Sequence, residues 1–504
     1  MRQLNTLELT ERWESQRDIK NLMGKYANCV ILNRQSDIYP LFWSQKRDDI
    51  RLGLNDGWYI GKDAVCGYYA AQREKNALSA ACLQAKFPEQ LGGKTADEIY
   101  GTGPFRVRPV SCPIIEVGED GTTAEGLWTC MGAEAEIEAT GPSAYWTWGY
   151  YLGKFILEDG EWKILELQYL LDLSARCGSD WNIQPAKPII PEFAPMADFS
   201  LPEPTEKVVL RERYSPRRKL TPPPAIPQST GTPAALGADA NDTDKLIRRV
   251  WDVEEIKKLV SRRCYYIAAD RRADEIAELW VSGAEAQKTA SFGRNWGWYV
   301  GMDAIGGYYV DSHLARRREN LSALAQADSS VSAGDENLGI GVFDSHPATT
   351  GLVRVAEDGK TAKGMWYCIS QETKPLPQGG SETRWLMEKL AIDFMREEDG
   401  WKIWHLVIAD DLNALAGEDY TKQPVYVDWD NDPVKLEFGK PTVELLTHDP
   451  TFNWWDDYPF LPMEYDTFTD AISYGPEGHP KNRGRQTWHV PAKGGRNYTG
   501  GAKL

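Results

Sequence analysis

All six histidines of the chain, at 313, 346, 405, 448, 479 and 489, lie in its second half. Imidazole is the side chain whose ordinary titration falls between about pH 5 and 8, so histidine-based proton transfer at neutral pH is open to that half alone. There, Tyr265 and Asp270 stand five residues apart in RCYYIAADRRAD, His346 sits in FDSHPATTG and His405 in WKIWHLV. Imidazoles, a carboxylate and a phenol can accept, orient and donate protons. The histidines form no His-x-x-x-His or Cys/His pair at ligand spacing, and the eight cysteines form no Cys-x-x-Cys, so no metal is expected. With no glycine-rich phosphate loop and no nucleophile elbow, no cofactor is expected either.

The chain carrying these residues is duplicated. Its 504 residues exceed the roughly 150 of one domain. DIKNL at 18–22 recurs as EIKKL at 255–259, NDGWYIGKDAVCGYY at 55–69 as NWGWYVGMDAIGGYY at 295–309, EDGTTAEGLWTC at 119–130 as EDGKTAKGMWYC at 357–368, and DGEWKILEL at 159–167 as DGWKIWHL at 399–406. The offset sets Asn28 and Asn33 opposite Tyr265 and Asp270, Arg108 opposite His346, and Glu166 opposite His405. The first copy cannot run the same proton chemistry. Residues 185–233 hold twelve prolines, a composition of linkers. Yet Glu203-Pro204-Thr205 parallels Lys440-Pro441-Thr442, and a repeated arm is expected to pack. The division expected is a first module at 1–183, arm and linker at 184–244, a second module at 245–415, and a C-terminal arm and tail at 416–504.

Within a module the periods change from helix to strand. Ile256, Leu259 and Val260, then Ile276, Leu279 and Trp280, keep helical spacing across a break at Asp270-Arg271-Arg272. A short Gly-Trp-Tyr strand and a helix opening at Met302, with Asp303 as its cap, come next; Asp63 is the counterpart cap. Segments around 340–355, 361–371, 385–397 and 401–409 read as strands, with Glu-Asp-Gly turns at 357–359 and 398–400 making hairpins. Helices first and antiparallel strands after make the class α+β.

This order of Asp/Glu-Ile-x-x-Leu, Gly-x-Asp-Ala-Ile/Val and meander strands ending in Asp-Gly-x-Trp-Lys-Ile resembles the SnoaL-like branch of the nuclear transport factor 2-like superfamily, over about 11–173 and 249–412. The resemblance implies two cone folds in tandem, each a curved antiparallel sheet wrapped on three helices around an apolar pocket. It implies that one chain mimics a homodimer, an intramolecular pseudo-dimer open to further homo-oligomerisation, with the first module non-catalytic. Dehydratases and isomerases of this superfamily use a Tyr, an Asp and a His; the matching positions are Tyr265, Asp270 and His346. On this resemblance His346 is the base, Asp270 orients it and Tyr265 polarises a carbonyl; His405, from its place on the last strand, is expected to protonate a leaving hydroxyl. The expected reaction is cofactor-independent dehydration or isomerisation of a hydrophobic steroid-, bile-acid- or polyketide-like compound. The rival expectation is a non-enzymatic small-molecule-binding or assembly protein.

Each residue also has a plainer reading. Asp270 could cap a turn, His346 could be a surface loop residue, and His313 reads as a solvated helix residue. By strand parity His405 faces the same side as Trp401, Ile403 and Val407, in the pocket or the core. Tyr266, Trp298, Tyr299, Tyr308 and Trp366 are candidate substrate-binding rings or core packing; Tyr266 could face inward in place of Tyr265. The net charge of -17 disfavours nucleic acid and anionic lipid. With no membrane span and no secretory signal at the N-terminus, a soluble cytoplasmic protein with reduced thiols is expected.

Overall fold

The computed structural model describes residues 2–100, 104–181, 183–210, 224–237, 239–294, 297–418, 441–444, 459–479, 489–492 and 496–499. The rest of both proline-rich arms and of the tail lies outside the described residues. Contacts divide the chain into two units, 1–215 with 224–239, and 216–223 with 240–504.

In the first unit α1 (Thr6–Ile31) and α2 (Gln35–Phe42) lead into the hairpin β1 (Arg51–Leu54) and β2 (Gly57–Ile60), then α3 (Lys62–Lys86). The meander follows as β3 (Phe105–Val107), β4 (Val110–Val117), β5 (Thr123–Glu138), β6 (Gly141–Glu158) and β7 (Glu161–Arg176), and the arm adds β8 (Glu206–Lys207). The strands run β3-β5-β6-β7-β1-β2-β8, with β4 paired to β5.

The second unit repeats this with α4 (Asp242–Ala268), α5 (Arg272–Leu279), β9 (Ser291–Arg294), β10 (Gly297–Val300), α6 (His313–Ala327), β11 (Phe343–Ser345), β12 (Ala348–Val355), β13 (Thr361–Pro375), β14 (Ser381–Glu397), β15 (Gly400–Leu415) and β16 (Val443–Glu444). Its order is β11-β13-β14-β15-β9-β10-β16, with β12 paired to β13. The fold is thus α+β, two nuclear transport factor 2-like cones in tandem.

Local chemistry sets the boundaries that matter. A capping box starts α4: Asp244 N–H donates to the Asn241 side chain at 3.0 Å and Asn241 N–H to Asp244 at 3.3 Å. The helix ends at Asp270, whose φ of +56° is left-handed, with Arg271 N–H returning to the Tyr266 carbonyl at 2.8 Å. Asn33 does the same in the first unit, also at φ +56°. Neither Asp63 nor Asp303 is a cap: Gly61 and Gly301 hold those positions, and both acids stand in the first turn. There they complement the helix dipole. The single helix expected after Met302 is interrupted by a π-helical stretch, Gly306–Ser312.

The arms pack as an extra strand. Ile60 N–H donates to Thr205 Oγ1 at 3.0 Å, and Val300 N–H to Thr442 Oγ1 at 3.3 Å. A Cβ on Gly57 or Gly297 would lie 2.2 Å from the arm carbonyl of Glu206 or Val443, so only glycine admits the added strand.

Candidate functional site

The cone interior of the second unit gathers charged groups from every element around it. Asp270, at the end of α4, meets His313, the first residue of α6, with Oδ1 2.5 Å from Nε2. One turn on, Arg317 places Nε 3.4 Å from Asp270 Oδ2 and Nη2 3.6 Å from Asp344 Oδ2 on β11. Tyr309, His313 and Arg317 follow one another at i, i+4 and i+8, one face of a helix. Arg272, opening α5, donates to the same Asp344 oxygen at 3.0 Å.

His346 lies between two buried carboxylates. Nε2 is 2.7 Å from Asp344 Oδ1 and Nδ1 2.7 Å from Glu388 Oε2 on β14. Ser370 donates to that Glu388 oxygen at 2.7 Å, and Arg294 lies 3.5 Å from the other.

The two histidines stand in opposite protonation states. Burial first, then the Arg272 and Arg317 charges, push His313 down to about 4, against the upward pull of Asp270. It is neutral at pH 7. Asp270 is ionised: burial opposes its charge, but His313 and Arg317 hold it well below the carboxylate range. A carboxylate only accepts, so His313 donates through Nε2–H and keeps its lone pair on Nδ1. For His346, burial opposes the charge, but Glu388 and Asp344 override it and raise the imidazole well above its ordinary value. Burial likewise opposes ionised Glu388, yet His346 and Arg294 hold it at about 2. With both neighbours acceptors, His346 is an imidazolium donating through both nitrogens.

Several expectations change as a result. His346 is no surface loop residue and has no free lone pair, so it is not the neutral base; Asp270 does not orient it. His313, read from sequence as solvated, takes Asp270 instead. Tyr265 is buried on α4. Tyr266 is turned away, its hydroxyl donating to Glu278 and its ring under Arg271 at 5.2 Å. Trp366 packs edge-on against Phe394, centroids 6.2 Å apart, as Trp128 does against Phe155, a core contact. Tyr299 stacks on Tyr308 at 4.0 Å, and Phe292 joins Tyr308 to Tyr309.

Trp298 and His405 are elsewhere. Asp393 pairs with His405 but the next residue, Phe394, pairs with Ile403, so Trp404 is a bulge. The extra residue reverses the parity, and His405 leaves the Ile403 face for the other side of the sheet. There residues 459–479 cover it. Lys363 and Asp393 form a buried ion pair beside it, Lys363 also donates to the Ile472 carbonyl, and Tyr474 N–H donates to Asp393 at 2.6 Å. Trp298 is fully buried on this face with Met365, Ala391, Val407 and Tyr474. Burial, with Lys363 nearby, pushes His405 to about 3, and Ser291 Oγ lies 2.9 Å from its Nδ1. It is a neutral, satisfied core histidine.

The first unit fills the same strand positions with Arg106 and Arg108, both paired to Glu134. Asn33 there bonds to Asn76 at 2.5 Å. Among the described residues, Asp344, His346 and Glu372 form a group that could hold a cation, with ligand atoms within 4.8 Å of one another.

Residues 248–407 match the family model of the SnoaL-like domain. No curated protein matches the chain. Among solved structures, the hexachlorocyclohexane dehydrochlorinase LinA-type3 of Novosphingobium barchaimii is 12% identical, with 35% of this chain and 99% of that one covered and a TM-score of 0.24. Rv3472 of Mycobacterium tuberculosis, a protein of unknown function, is 15% identical over 37% of this chain and 85% of its own, with a TM-score of 0.23.

Proposed function

With residues 248–407 a SnoaL-like domain, we propose that the second unit is a cofactor-independent lyase or isomerase that abstracts a proton next to a carbonyl on an aromatic or polycyclic small molecule. One observation carries this reading: two histidines joined through Arg317 and Asp344 are poised oppositely, His313 neutral and His346 charged. Groups whose surroundings push their titrations apart mark a base and an acid.

His313 Nδ1 takes the carbon-bound proton, and Asp270 stabilises the imidazolium that forms. The electron pair moves into the carbonyl, and Tyr265 donates to the enolate oxygen. In elimination, the carbon–oxygen bond then breaks, and His346 gives its proton to the departing hydroxyl, releasing water. In isomerisation, His313 returns the proton to a different carbon. The first unit, without a histidine or the Asp270 carboxylate, is the non-catalytic copy.

The test is a mass-spectrometric screen of the purified chain, without added cofactors, against hydroxylated steroid, bile-acid and polyphenol carbonyl compounds. Loss of one water, or an isomer of unchanged mass, is expected from wild type, with turnover lowered about 10²–10⁴-fold in His313→Gln and Asp270→Asn. Retained ligand with no turnover, equally in wild type and variants, would make the unit a binder and end the catalytic reading.

A further inference from the structure

We infer that the second unit holds a binding site for a divalent transition cation of the zinc type, with Asp344 Oδ1, His346 Nε2 and a Glu372 carboxylate oxygen as its ligands. The site goes beyond the proposed reaction and does not depend on it. It is built across two strands. Asp344 on β11 and His346 just beyond it are two residues apart, and Glu372 stands directly opposite Asp344 on β13. Two carboxylates facing each other in an antiparallel ladder repel unless positive charge lies between them.

The duplication supplies an internal control. In the first unit the same ladder position sets Arg106 on β3 opposite Glu134 on β5, and Arg108 pairs with that glutamate too, so the chain brings its own cations to the spot. In the second unit those two arginines are Asp344 and His346. Arg272 and Arg317 come from helices instead, and they reach the far oxygen of Asp344, Oδ2, at 3.0 and 3.6 Å. Among the described residues the ion pair of Glu372 is with His346. The place between the two carboxylates is thus left to a proton on Nε2 or to a metal ion.

The geometry suits the ion. Nε2 lies 2.7 Å from Asp344 Oδ1 and 3.5 Å from Glu372 Oε1, and the three ligand atoms fall within 4.8 Å of one another. Ligands about 2.0–2.2 Å from a zinc ion stand roughly 3.4 Å apart in a tetrahedron, so small side-chain rotations bring this set onto one ion. The other imidazole nitrogen is already oriented: Nδ1 donates to Glu388 Oε2 at 2.7 Å, and Ser370 donates to the same oxygen at 2.7 Å. A carboxylate behind a metal-binding histidine fixes its ring and strengthens it as a ligand. Arg272 and Arg317, by holding Oδ2, keep Oδ1 turned toward the imidazole. The Glu372 side chain is 46% exposed, which gives the ion a path from solvent. One imidazole and two carboxylates suit zinc, cobalt or nickel and offer too few oxygens for calcium. A bound ion replaces the Nε2 proton, which leaves to solvent, and its fourth position takes water. His346 then has no proton for a departing hydroxyl, so the ion inhibits the proposed elimination.

The test is binding to the full chain, first freed of metal by a chelator. Zinc is titrated by calorimetry and cobalt(II) by its visible absorption. Binding of a single ion is expected, abolished in His346→Gln and weakened about 10–100-fold in Glu388→Gln, whose carboxylate orients the ring. Glu372→Gln, at a half-exposed position where the fold should survive, is expected to weaken binding about tenfold or more, with melting curves confirming the fold. Absence of binding up to about 1 mM of either ion, or binding equally tight in wild type, Glu372→Gln and His346→Gln, would overturn the inference. Metal binding that leaves turnover in the wider screen untouched would keep the site and sink His346 as the acid.

Discussion

His313 and His346 are the same residue type in the same unit, separated in behaviour by their neighbours. Burial, reinforced by Arg272 and Arg317, makes the first neutral, and carboxylates that override burial make the second charged. The rate should therefore need deprotonated His313 and protonated His346: kcat/KM rises through about pH 4 and stays flat across neutrality. In Arg317→Gln the acid limb should move to higher pH, because a positive charge that opposes protonation of His313 is gone; an unmoved limb would remove His313 as the base. Sequence placed every histidine in the second half but paired Asp270 with His346, whereas the fold brings it to His313. The missed signal was spacing: the repeated Tyr-Tyr at 308–309 already implied a buried turn, and 313 and 317 continue that face. Asp344, two residues before His346 in FDSHPATTG, has the same-face spacing of a strand and was a legible signal, whereas Glu388 left no such mark, since it meets His346 only through the folded strands.

At the scale of elements, the helix-then-meander order was legible because turns, glycines and alternation are local. The side of the sheet on which His405 lies was not, because the Trp404 bulge has no signature in a period of two. What the bulge delivers to the covered face is testable. Asp393 neutralises Lys363 and accepts from Tyr474 N–H, so Asp393→Ala leaves a buried ammonium unpaired and frees the segment at 459–479. A loss of about 3–5 kcal/mol is expected, with faster hydrogen exchange at Tyr474. Replacing both partners, Lys363→Met with Asp393→Leu, should recover most of that stability, since well-packed apolar groups substitute for a buried pair. A double variant as unstable as the single one would show that the backbone contacts, not the charges, hold the segment.

The whole molecule joins two copies of one fold with different titrating inventories, and this gives them different pH windows. His346 has a folded value above its unfolded one of about 6.5, so its contribution is fully present below that pH and fades as pH rises. His313 and His405 have folded values depressed to about 4 and about 3, so on acidification the unfolded chain takes protons that the folded unit refuses. Stability of the second unit therefore falls as pH drops below about 6.5, and these three residues together place its maximum near that value. The first unit, 1–215 with 224–239, holds no histidine. Its buried Glu134 has a folded value of about 2: burial opposes the charge, and Arg108 with Arg106 outweighs it. That contribution is present above about 4.3 and lost only as pH falls from there toward 2. Hydrogen exchange resolved by peptide at pH 8, 6.5 and 5, corrected for intrinsic rates, should show protection in the second unit peaking at the middle value and protection in the first unit unchanged. His313→Gln with His405→Gln should flatten the acid side of the second unit. If the first unit loses protection between pH 6.5 and 5 while the second holds, the assignment of neutral buried histidines to the second unit fails, and with it the base.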